Sequence, residues 1–182
     1  MRTTHHVALA ALLAGLLAAG GCGSGQIEAG ADATLPAGED SAAFLDRVSS
    51  LPTVGENDAL RGVLLLTEGS DADGTFAERV EKLRAAGIAP GTWDYSAQRP
   101  VTKGRLAQLL YQACDIPGGV TLTVAGPSQR YCLRELQYRG MIAPGPTYAE
   151  VTGMEYVAVL SRADAWRRTG QVPEVLKTTW SR

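Results

Sequence analysis

Through the middle of the chain, apolar positions recur at helical spacing in blocks that stop at a glycine and resume after a loop. Phe76, Val80 and Leu83 mark one helix, with Asp73 or Thr75 placed to cap it and Gly87 suited to the left-handed residue that closes it. Pro90 and Gly91 keep the chain from resuming the helix at once. Thr102 then caps a second helix, whose face carries Leu106, Leu109, Leu110 and Ala113. The same order returns downstream: Leu133, Leu136 and Gly140 fill the early positions, and Val157, Leu160 and Ala163 the later ones.

Set side by side, Glu81–Ala113 and Arg134–Ala163 are a repeat. Leu83 aligns with Leu136, Gly87 with Gly140, Pro90-Gly91 with Pro144-Gly145, Val101-Thr102 with Val151-Thr152, and Leu110 with Leu160. The offset is 53 residues at Gly87 and 50 at Val101, so the copies differ by small loop changes. A more degenerate copy lies upstream, with Phe44–Val48 as its first helix and Val54–Leu66 as its second, Val54 standing where Val101 and Val151 stand. One helical hairpin cannot bury its own apolar stripe, whereas three can bury one another's. The pattern therefore predicts a mainly α fold of three helix-loop-helix hairpins over 41–68, 73–116 and 128–165. Between the last two, Val120, Leu122 and Val124 alternate, which predicts a short extended or β segment near 119–125. Residues 166–182 are expected to be a surface tail, docked or partly frayed.

The N-terminus follows a different pattern. A charged start is followed by the apolar run Val7–Ala19 and then small residues, the layout of an export signal over 1–21. The run is too short, and too rich in Gly and Ala at its end, to be a permanent span. "LAAGGC", ending at Cys22, resembles the lipobox of bacterial lipoproteins, which implies acylation of the Cys22 thiol; an ordinary signal peptide is the plainer alternative. Each buried acyl CH₂ contributes about 0.8 kcal/mol, so more than one chain gives a stable anchor. Gly23, rather than Asp, follows the cysteine, which favours the outer membrane in a two-membrane envelope. Residues 22–40 hold few large apolar side chains and read as a flexible tether.

The repeat resembles the S-layer homology domain, in which a helix, "GI..G", an aromatic and acidic loop, and "[IV]TRAE" opening a second helix usually occur in three copies. Gly87-Ile88, Gly91, Asp94, Pro100 and Val101-Thr102 follow that order, and the last copy keeps Val151, Thr152 and Glu155. The resemblance implies a three-fold helical bundle that binds anionic cell-wall polymers through grooves containing the motif's arginine. Here that position holds Glu56, Lys103 and Gly153 in successive copies.

Composition narrows the chemistry. The only histidines, His5 and His6, lie inside the expected signal segment, which removes Ser–His–Asp, Cys–His and His-based metal sites from the exported chain. No phosphate-binding GxxxxGK[ST] or GxGxxG loop occurs. No cofactor, metal or nucleic acid is expected. From Gly23 to Glu81 there are 3 basic and 12 acidic residues, net −9, and from Lys82 to Arg182 there are 13 basic and 7 acidic, net +6. Such asymmetry fits an anion-binding face or two halves of one domain that attract each other.

The candidate ligand residues are Thr102, Lys103, Arg105, Arg130 and Arg134, with Trp93 as a ring on which a sugar could stack. The alternatives are solvated arginines or ion pairs with Glu135 and Asp164, and Trp93 as a lid over the hairpin core. Cys114 and Cys132 are candidates for a disulfide, 18 residues apart in an oxidising compartment, or else two buried, inert thiols. Glu150, Glu155 and Asp164 are not ordered into a catalytic pair by anything in the sequence. The expected function is non-enzymatic: a lipid-anchored envelope protein whose partners are the bilayer and either an anionic cell-wall polymer or another envelope protein.

Overall fold

The computed structural model describes residues 27–28, 39–70 and 74–176. The signal segment, Cys22, most of the tether, Asp73 and residues 177–182 lie outside the described residues. The fold is mainly α. Helices α1 (Ser41–Ser49) and α2 (Glu56–Glu68) form the first unit, and α3 (Phe76–Ala85) and α4 (Lys103–Ala113) the second. After α5 (Val120–Ala125), the third unit is α6 (Gln129–Tyr138) and α7 (Gly153–Thr169), followed by a 3₁₀ turn at Glu174–Leu176.

The local signals act where the sequence places them. Thr75 and Glu78 form a reciprocal capping box, and the hydroxyls of Thr102, Ser128 and Thr152 each accept from a backbone N–H three residues on. Gly87 and Gly140 both close their helices at φ 71°. The following N–H donates back to Leu83 in one case and to Leu136 in the other, at 2.8 Å each.

The repeats are joined by a closed ring of three valines. Val101 N–H donates to the Val54 carbonyl at 2.8 Å, Val151 N–H to Val101 at 3.1 Å, and Val54 N–H to Val151 at 2.9 Å. Each valine lies just before the N-terminus of its unit's second helix, where the backbone is still extended, and all three are buried. The helix starts are satisfied around the same ring, with donors and acceptors running in the opposite sense. Lys103 N–H reaches Ala149 O at 2.8 Å, Glu56 N–H reaches Arg99 O at 2.8 Å, and Gly153 N–H reaches Leu51 O at 3.0 Å. Orphan donors at one unit's helix start are thus met by the loop of another unit.

The helices also pair between units rather than within them. The closest packing is α2 on α3, α4 on α6 and α7 on α1, which closes the circle, with α2 also touching α4 and α7. The expected hairpins are therefore sequence units but not packing units. Their two helices diverge, and each finds its partner in a neighbour. The core runs through the circle with Phe44, Leu60, Leu83, Leu106, Leu110, Leu136 and Tyr156 at 0–1% exposure.

Several expectations are corrected. The segment near 119–125 is helical: Thr123 N–H donates to Gly119 O at 3.1 Å and Gly126 N–H to Leu122 O at 3.1 Å. A lone strand there would leave its backbone groups unpaired, and a helical turn satisfies them while burying Leu122. The tail does not begin at 166, because α7 continues to Thr169 and Gly170 closes it in the left-handed region. Val172 is buried beyond it, and Arg162 Nε donates to Leu176 O at 2.5 Å. Nor is the tether free throughout. Ile27–Glu28 pair in parallel with Tyr95–Ser96, and the Glu39 carboxylate is clasped by Arg47 at 3.0 Å and Arg61 at 2.5 Å.

Candidate functional site

The ring of valines brings the N-termini of α2, α4 and α7 together, and the first residues of these helices are the ones the sequence singles out: Glu56, Lys103 and Gly153. At the first junction Glu56 is 3% exposed. It accepts from Ser96 N–H at 2.9 Å, is in contact with the Arg105 guanidinium, and has Arg99 at 3.8 Å. Burial pushes the Glu56 carboxyl up, against the opposing pull of that N–H and the two arginines. Arg105 also donates to Asp94 O at 3.1 and 3.0 Å and lies over the Trp93 ring at 4.8 Å. Trp93 in turn packs at a tilt on Tyr95, centroids 5.9 Å apart, so it is a lid on this junction. The space left among Glu56, Leu60, Trp93, Tyr95, Arg105 and Leu109 is about 10 Å³, no more than room for a water.

At the second junction Lys103, 8% exposed, meets Glu155 Oε1 at 2.8 Å. Its ammonium also donates to the carbonyls of Ala143 and Pro144 at 3.3 Å each. Thr102 is occupied as the cap of α4, accepting from Arg105 N–H at 3.3 Å. The third junction holds no side chain. A Cβ on Gly153 would lie 1.9 Å from the Val48 carbonyl oxygen, so backbone closes it. Of the candidate ligand residues, Thr102, Lys103, Arg105 and Trp93 are thus gathered around the ring and engaged with the protein itself.

Arg130 and Arg134 are elsewhere. They lie one turn apart on α6, both exposed. Neither makes an ion pair or side-chain hydrogen bond among the described residues. The carboxylates expected to neutralise them have other partners: Glu135 holds Arg139 at 2.7 Å, and Asp164 holds Arg168 at 2.5 Å. Arg134 borders an open groove of about 290 Å³ with Gly119, Leu122, Tyr131, Glu135 and Tyr138. Tyr138 is 88% exposed. Sequence reasoning missed this tyrosine, although Arg130, Arg134 and Tyr138 follow one another at helical intervals of four.

The cysteines are not bridged. Both are free and buried, and burial pushes each thiol's pKa up to about 12. Helices α4 and α6 run side by side in the same direction, with Gln129 against Gly104 and Arg139 reaching the Pro117 carbonyl. Cys132 therefore sits beside the first half of α4 while Cys114 closes its far end, about 10 Å further along at 1.5 Å per residue. Cys114 Sγ faces the Ala163 carbonyl instead, at 3.9 Å.

Glu150, Glu155 and Asp164 do not converge, since Glu155 is held by Lys103 and Asp164 by Arg168. Among the described residues no group of three or more His, Cys, Asp or Glu is placed to hold a metal, and no helix is long and apolar enough to cross a membrane. No family model matches the chain, and neither a curated protein nor a solved structure is detectably similar to it.

Proposed function

We propose that this chain is a lipid-anchored, non-enzymatic protein of the cell envelope, a helical accessory subunit that docks another envelope protein on a frame like that of S-layer homology domains. The observation that supports it is the inward pairing of Lys103 with Glu155 and of Arg105 with Glu56. A polymer groove needs these cations free to meet phosphate or carboxylate. Here a ligand would have to break a largely buried ion pair at each, and removing one partner of such a pair costs several kcal/mol, about 3–5 when fully buried. The frame remains a rigid support, and the outward helix faces are the surfaces left for a partner. Acylation at Cys22 would hold that support at a membrane.

Sedimentation of the exported chain, Gly23–Arg182, with isolated cell-wall sacculi tests the reading at low and high salt. The expected result is no pelleting at either. Salt-sensitive pelleting that disappears in Lys103→Ala/Arg105→Ala would overturn it in favour of wall-polymer binding through the ring. The anchor has its own test: palmitate incorporation into the full chain, lost in Cys22→Ser.

A further inference from the structure

We propose that the outer face of α6, with the groove between α5 and α6, is the docking surface, and that it takes an acidic protein segment carrying an apolar anchor residue. The inference deepens the accessory-subunit reading and rests on it.

Two observations converge on this face. First, Arg130 and Arg134 present two guanidinium groups on one side of the helix with no carboxylate among the described residues answering them, and Glu135 beside them is turned to Arg139. Elsewhere the arginines are engaged: Arg47 and Arg61 by Glu39, Arg105 by Glu56, Arg139 by Glu135, and Arg168 by Asp164. An unanswered pair one helical turn apart is complementary to carboxylates at matching spacing on a partner. Second, Tyr138 stands 88% exposed at the end of the same face, and Tyr131 and Leu122 line the groove beside Arg134. Val124 adds an apolar side chain, 82% exposed, on α5. Tyrosine and arginine around a pocket are the composition of an interface centre, where the ring loses water and the guanidinium fixes orientation.

The groove's size sets the anchor. About 290 Å³ accepts one large side chain, so the partner inserts a single leucine-sized or aromatic residue between Leu122, Tyr131 and Tyr138. Its acidic neighbours then meet Arg134 and Arg130. An acidic polysaccharide would satisfy the arginines and stack a sugar on Tyr138, but it carries no side chain of the size and apolarity that the groove beside Tyr131 takes.

The test is photo-crosslinking of the full chain in its native envelope, with a benzophenone side chain replacing Tyr138 in one variant and Tyr148 in another. Tyr148 is also exposed, at 78%, but lies in the loop that supports the start of α4. The expected result is a protease-sensitive adduct of one discrete mass from position 138 and none from 148. Mass spectrometry should place the crosslink in an acidic stretch of the partner. Arg130→Glu/Arg134→Glu should cut the adduct about tenfold while thermal unfolding is unchanged, because both side chains are exposed. An adduct from 148 alone would overturn this surface while leaving the accessory-subunit reading standing. A glycosidase-sensitive smear at 138 would assign the face to a polysaccharide. No adduct at either position would remove the docking reading itself, and an adduct indifferent to the charge reversal would refute the acidic partner.

Discussion

Replacing Gly153 by alanine adds one methyl group where the backbones of two units meet. The Cβ would stand 1.9 Å from the Val48 carbonyl oxygen and 2.9 Å from that of Ser49. Neither obstacle is a flexible side chain, and Gly153 cannot retreat easily, because its N–H is held by Leu51 O and the nearby Val151 belongs to the ring. Gly153 is not among the positive-φ residues, so the penalty is steric and not conformational. Overpacking costs about 1–3 kcal/mol, and contact with backbone on both sides places this case near the upper end. Alanine's better helix propensity returns up to about 1 kcal/mol. The net loss is about 2 kcal/mol, which for a domain of this size lowers Tm by about 4–8 °C. Urea unfolding at unchanged m, with calorimetry alongside, measures it. Gly91→Ala is the control, since nothing lies within 4 Å of a Cβ there, and it should stay within about 0.5 kcal/mol of wild type. A Gly153→Ala midpoint equal to wild type would refute the claim that backbone closes the third junction. Gly153→Arg, which restores a basic residue at that place, should unfold the domain further and confer no polymer binding.

Glu39→Gln should cost about 3 kcal/mol at neutral pH, because it leaves Arg61, 2% exposed, without its carboxylate. Burial raises the Glu39 carboxyl, but hydrogen bonds and charge from Arg47 and Arg61 together outweigh it, so the folded pKa lies below the usual value. Its contribution is full above the unfolded pKa and fades as pH falls through the folded one, so Glu39→Gln should flatten the acid limb of a stability–pH curve. Glu56 acts in the opposite sense: with a raised pKa, it favours the fold at low pH and loses that contribution as pH rises through the folded value. Arg105→Ala should destabilise by about 2–3 kcal/mol by leaving the buried Glu56 only the Ser96 N–H and the more distant Arg99, and should change the tryptophan emission, to which Trp93 contributes, as its cation is lost; a stable variant with unchanged emission would contradict the junction geometry. Cys114 and Cys132 should resist thiol reagents in the folded protein, react together on unfolding, and show no mass change on reduction; a gain of two hydrogen atoms on reduction would establish a bridge.

What the sequence disclosed and what it withheld divide along one physical line. Features that a residue type imposes on its own neighbourhood were legible: the Thr75 and Thr102 caps, the left-handed closures at Gly87 and Gly140, and the recurring Val54, Val101 and Val151. Features that depend on where a neighbour arrives were not. The alternation at Val120–Val124 reads as a strand because periodicity records which side chains face inward, not whether another strand is present to accept the backbone bonds. The spacing of Cys114 and Cys132 fits a bridge until the parallel course of α4 and α6 separates their ends. Lys103 and Arg105 look like ligand residues because a charge in a motif carries no sign of its partner, and Glu155 and Glu56 are 52 and 49 residues away in sequence. The inverse holds at Arg130 and Arg134, where the neighbouring Glu135 and the more distant Asp164 suggest a neutralised face and the structure turns those carboxylates to Arg139 and Arg168. The repeat therefore specifies the frame, since each valine bonds its counterpart in another unit and each closing glycine ends its own helix. The single copies that depart from it, Glu56, Lys103 and Gly153, seal the three junctions in three different ways. On the docking proposal, recognition falls to a face of α6 set apart from the valine, leucine and glycine positions that the repeats share.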